Sequence, residues 1–153
     1  DQKWWEFDVE SPGSKATMND LSAAIGLEQL KKVDGFISSR KLVHDAYNRG
    51  LKNLTWLDIP EPTNHDNTSS YYMYFIQLKD SKNRDRLARY LRDRGIYTTF
   101  RYYPLHWVDF YGSTVSLPNA EWVAKHTLNL PLHQGLSQKD VAHVIKSIKE
   151  FKH

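Results

Sequence analysis

Two stretches of this 153-residue chain gather the residue types that bind anions. The first is Gly13-Ser14-Lys15-Ala16-Thr17-Met18-Asn19-Asp20. A helix start offers unpaired N–H groups and a partial positive charge, and Lys15 adds a full charge just ahead of it. Together these make a grip for a phosphate. An ordinary capped helix with a solvated lysine fits the same residues. The second stretch, Phe100-Arg101-Tyr102-Tyr103-Pro104-Leu105-His106, closes a predicted strand. A guanidinium, two phenols and an imidazole so close together suit an anionic, hydroxyl-rich ligand. Alternation along a strand puts Arg101 and Tyr103 on one face and Tyr102 on the other, so one pocket cannot receive all of them. An aromatic edge strand with polar tips in water accounts for the same pattern.

Nothing in the sequence is a complete catalyst. The seven histidines include no pair at the i, i+4 spacing of a helical zinc site, so no metal site is expected. Cysteine is absent, which removes disulfides, thiolate nucleophiles and iron–sulfur clusters and is compatible with the cytoplasmic location expected here. There is no Gly-rich phosphate loop and no Gly-x-Ser-x-Gly turn. Lys and Arg number 21 against 18 Asp and Glu, and 21 − 18 leaves +3. On the Arg84–Arg94 segment Asp85 and Asp93 interleave with the five arginines, which reads as a solvated face rather than a nucleic-acid surface. No apolar run approaches the roughly 18–20 residues that cross a bilayer. The chain opens Asp1-Gln2-Lys3, and a piece of something longer is expected.

Several elements must position these residues. Residues 1–13 read as extended, with Trp4, Trp5 and Phe7 seeking cover, and end in the turn signal Ser11-Pro12-Gly13. Thr17 and Asp20 have the spacing of a capping box. Apolar residues at helical spacing follow from Leu21 to Leu51, with a break expected near Asp34-Gly35. Strands are predicted around Trp56–Ile59, over Tyr71–Leu78 and over Ile96–Tyr103, and helices over Lys82–Arg94 and Pro118–His126. Ser137 and Asp140 repeat the capping-box spacing ahead of a last helix. That order predicts α+β or a small α/β sandwich.

The stretch Ser11 to Asp34 resembles a signature of the DegT/StrS family of pyridoxal-phosphate-dependent, fold-type I sugar aminotransferases. The resemblance continues in order through Ser70-Tyr71-Tyr72-Met73-Tyr74, Arg94-Gly95-Ile96, Tyr103-Pro104-Leu105-His106, Leu128-Asn129-Leu130-Pro131-Leu132-His133 and Gly135-Leu136-Ser137. It covers nearly the whole chain but only the C-terminal portion of such enzymes. The implied fold is α/β with an α+β small domain. Residues 1–16 would pack on a missing N-terminal large domain or a partner. Residues 17–50 would form a long interdomain helix and 51–153 a small C-terminal domain, with a small antiparallel or mixed sheet flanked by helices.

The resemblance also implies roles. The lysine that carries pyridoxal 5'-phosphate covalently, the Asp at the pyridine nitrogen and the stacked aromatic would all lie in the missing domain, leaving no catalytic residue here. Lys15 would reach the cofactor phosphate across a homodimer. Thr17 stands where Arg or Asn often lies near substrate. Arg101, where His is more common, would join Tyr103 and His106 around a nucleotide-sugar substrate. The implied reaction takes an amino group from glutamate to a nucleotide-linked keto-sugar, as in amino-sugar, cell-surface polysaccharide or antibiotic-sugar synthesis. A sugar dehydratase, with His in place of the upstream lysine, or a non-catalytic dimerisation or carbohydrate-binding module would share this portion. Neither a nucleic-acid nor a membrane partner is expected.

Overall fold

Asn19 opens the first helix. In the computed structural model, which describes residues 14, 16–61, 69–100 and 102–153, its side-chain oxygen accepts the Ser22 N–H at 2.8 Å. Helix α1 then runs Asp20–Leu30. The expected Thr17 cap is replaced by an asparagine two residues on, whose short side chain reaches a first-turn N–H as well as a hydroxyl does. Lys32 N–H bonds to the Gln29 carbonyl at 3.0 Å, a tight turn, and α2 follows over Val33–Leu51. The helical run is therefore interrupted at Lys31-Lys32, not at Asp34-Gly35. Asp34 sits in the first turn of α2, where an acid meets the positive helix end. Gly35, also in the first turn, is simply carried, since even inside a helix a glycine costs only about 0.5–1 kcal/mol.

The chain divides into two compact units, residues 1–33 and 34–153. In the first, α1 buries no side chain, and Leu21, Ile25, Leu27 and Leu30 stand exposed. The second holds a three-stranded antiparallel sheet in the order β1 (Leu57–Asp58), β2 (Tyr74–Leu78), β3 (Thr127–Leu130). Leu57 pairs with Leu78, and Ile76 with Leu128. The strand expected from Tyr71 starts only at Tyr74, because Tyr71 adopts φ 46°, outside the range of a pleated strand. Of the strand expected over Ile96–Tyr103, the described residues retain one bridge, Thr99 to Asn129.

Periodicity explains the core. Strand alternation on β2 buries Tyr74, Ile76 and Leu78, while β3 is buried along its whole length. Helix α3 (Ser81–Arg92) contributes Leu87 and Leu91, and α5 (Gln138–Glu150) contributes Val141, Val144 and Ile148. From α2 come Val43, Tyr47 and Leu51, spaced four apart on one stripe. Each such side chain stabilises the fold by roughly 1.5–3 kcal/mol of apolar transfer. The buried phenols are satisfied: Tyr47 donates to the Pro131 carbonyl and Tyr74 to Asn48 Oδ1, both at 2.8 Å. Burial pushes both phenol pKa values up.

Local signals set the remaining boundaries. Gly95 takes φ 73° after α3, and the Ile96 N–H reaches back to the Leu91 carbonyl at 2.9 Å. Helix α4 spans Pro118–His126, with proline at its first position. At α5 the Ser137–Asp140 box closes in both directions.

Candidate functional site

Pro104 has no N–H to give a strand and is followed by two single-turn 3-10 segments, Leu105–Trp107 and Asp109–Tyr111. The first carries His106 inward. Its side chain is only 7% exposed, and Nε2 lies 3.2 Å from Glu121 Oε1 on α4. The same oxygen accepts the Leu117 N–H at 2.9 Å and the Ser116 hydroxyl at 3.4 Å. The Leu117 N–H, and after it the His106 imidazole, hold the Glu121 carboxyl below the usual carboxylate range. Glu121 is therefore an anion at neutral pH, with three donors on one oxygen.

An aromatic side chain packs on the imidazole of this pair. Trp107 packs tilted on His106 at 5.6 Å and forms a T-shaped pair with Tyr103 at 5.6 Å. The Lys125 ammonium lies 5.3 Å from the Trp107 ring. Tyr103 itself is 64% exposed. The cluster thus offers an anchored imidazole, an exposed phenol and a nearby cation, a set able to orient a polar, hydroxyl-bearing molecule.

The structure brings together two of the expected site residues, Tyr103 and His106. Thr17 is exposed and belongs to the unit of residues 1–33. Lys15 and Arg101 lie outside the described residues. Glu121 and Trp107 are additions that the sequence did not announce. Pro118 followed by an acid at Glu121 is a helix-start pattern, but it carries no hint of an imidazole fifteen residues earlier.

Other concave surfaces are less committed to chemistry. A groove of about 610 Å³ runs past Tyr72, Tyr97, Asn129, His133, Asp140 and His143. Three of its polar members are already engaged: Asp140 with Ser137, His143 Nε2 with the Arg94 carbonyl, and His133 Nδ1 with the Gly135 N–H. Among the described residues no group of three His, Asp or Glu could hold a metal ion. No described helix is long and apolar enough to cross a membrane.

Comparison with known proteins places the chain in a family. The profile of the DegT/DnrJ/EryC1/StrS aminotransferase family matches residues 1–149. The chain is 38% identical over 139 residues to the dTDP-4-dehydro-2,3,6-trideoxy-D-glucose 4-aminotransferase of Saccharopolyspora spinosa, covering 91% of this chain and 36% of that protein. It superimposes on the aminotransferase TlmJ of Streptoalloteichus hindustanus with a TM-score of 0.87 and 46% identity, over 95% of this chain and 40% of TlmJ. The sugar aminotransferase CalS13 of Micromonospora echinospora gives a TM-score of 0.80 at 25% identity, over 90% of this chain and 36% of CalS13. The chain therefore spans well under half the length of these relatives.

Proposed function

Since the chain belongs to the DegT/DnrJ/EryC1/StrS aminotransferase family, we propose that it is the C-terminal part of a pyridoxal-phosphate-dependent sugar aminotransferase. The whole protein would move an amino group from glutamate to a nucleotide-linked keto-sugar, as a cytoplasmic homodimer. The observation that carries this reading is the likeness to TlmJ, 46% identical and superimposable over 95% of the chain.

Pyridoxal phosphate, when bound, supplies the electron sink for amino transfer. The described residues do not form its seat. Asn19 caps the start of α1 and takes the Ser22 N–H, so the charge offered to the phosphate there is that of Lys15. Glu121 is occupied by three donors, and Asp140 by its own cap. The chain's share is therefore peripheral. Lys15 would hold the cofactor phosphate, and Arg101, Tyr103 and His106 on one unit and Thr17 on the other would each contact sugar nucleotide. The 3-10 turn after Pro104 supports this division, since it fixes His106 and leaves Tyr103 exposed nearby.

The test uses the full-length protein, supplied with pyridoxal phosphate, glutamate and dTDP-4-dehydro-2,3,6-trideoxy-D-glucose. Formation of the amino sugar together with 2-oxoglutarate, followed by mass spectrometry, is the expected result. Failure to aminate this or any other nucleotide-linked keto-sugar would overturn the reading. Lys15→Ala should weaken cofactor affinity about tenfold or more, the worth of one charged hydrogen bond, and alter the sugar KM less. Unchanged cofactor affinity removes Lys15 from the site.

A further inference from the structure

We propose that Glu121 is the positioning residue of His106: its carboxylate fixes the ring with hydrogen on Nε2 and leaves Nδ1 as the nitrogen offered to substrate. This rests on the reading of His106 as a substrate contact and adds a residue that touches no ligand itself. A carboxylate oxygen only accepts, so the ring nitrogen 3.2 Å from Glu121 Oε1 is the one that carries hydrogen. In the neutral ring Nδ1 is then the acceptor, suited to a sugar hydroxyl.

Two features make the arrangement directional. First, the His106 side chain is 7% exposed and packed against Trp107, so the ring cannot turn over without opening that contact. Second, Glu121 is itself immobilised. Its carboxylate takes the Leu117 N–H while its own N–H bonds to the Leu117 carbonyl at 2.9 Å, so backbone and side chain are tied to one residue. The first turn of α4 and the 105–107 turn are thereby fastened at a single oxygen. An acid that merely capped α4 would need the Leu117 contact alone.

The experiment reads the ring directly. In the full-length protein labelled with 15N-histidine, long-range 1H–15N spectra report the His106 tautomer, assigned by comparison with His106→Gln. The wild type is expected to show hydrogen on Nε2. Glu121→Gln should keep that tautomer, because the Leu117 N–H still holds the amide oxygen in place as the shared acceptor. Glu121→Ala should mix the two tautomers and raise the KM for dTDP-4-dehydro-2,3,6-trideoxy-D-glucose about tenfold, with a smaller effect on kcat. Hydrogen on Nδ1 in the wild type, or an unchanged tautomer in Glu121→Ala, overturns the proposal. Should the alanine variant fail to fold, the wild-type tautomer and the glutamine variant still decide. A His106→Gln enzyme with unaltered KM would instead sink the substrate-contact reading, since the tautomer is measured without substrate.

Discussion

Gly50→Ala should destabilise the chain even though alanine is the better helix former. Gly50 lies in the last turn of α2, and a Cβ there would stand 2.8 Å from both Cδ1 and Cγ2 of Ile145 on α5 and 3.1 Å from Cγ1. Two of those three atoms sit at the branch of a β-branched side chain, which has essentially one rotamer in a helix and cannot swing clear. The propensity gain is about 0.5–1 kcal/mol, whereas forced overpacking costs about 1–3 kcal/mol. The net expectation is a loss of roughly 1 kcal/mol. Shortening the obstacle should reverse the sign: in an Ile145→Ala background, Gly50→Ala becomes stabilising by about 0.5–1 kcal/mol. Urea unfolding of the four proteins at constant m yields the coupling between the two sites. If Gly50→Ala stabilises the chain while Ile145 is intact, the packing argument is wrong.

Two further expectations concern the buried polar groups of α2. Tyr47→Phe removes the hydroxyl that Pro131 accepts and should cost about 1 kcal/mol in urea unfolding; a neutral result would mean that the carbonyl finds another donor. Burial holds the His44 pKa below its ordinary value, against the raising influence of Asp45 and with a lesser lowering by Lys41, while Tyr71 and Tyr74 pack edge-on to its ring and Asn48 meets Nδ1. An unfolded histidine titrates at about 6.5. Above that pH the stabilisation is fully present, and below it the unfolded chain takes the proton first, so stability is lost as pH falls towards the folded value. The urea midpoint between pH 7.5 and 5.5 should fall more steeply for the wild type than for His44→Gln, and equal slopes would refute the assignment.

Much of the fold is legible in local pattern. The Pro118 start, the Ser137–Asp140 box and the Gly95 stop each act within four residues of themselves, so neighbours in sequence suffice to read them. The misread boundaries have particular causes. Thr17 and Asn19 are both competent caps, and only the observed chain path selects Asn19. Tyr71 belongs by composition to a strand, yet its positive φ turns the chain there and delays pairing to Tyr74. The aromatic run from Ile96 has strand propensity along its length, but among the described residues Thr99 alone meets β3.

The sequence by itself determined the helical stripes, the strand alternation and the membership of a family whose motifs recur in order from Ser11 to Ser137. Those are properties of spacing, and spacing is carried by the chain wherever it goes. Tertiary structure alone decided that His106 is buried against Glu121, that one carboxylate oxygen serves three donors, and that Trp107 joins Tyr103 beside them. Contacts of that kind depend on the meeting angle of two short elements fifteen residues apart, and no periodicity encodes that angle.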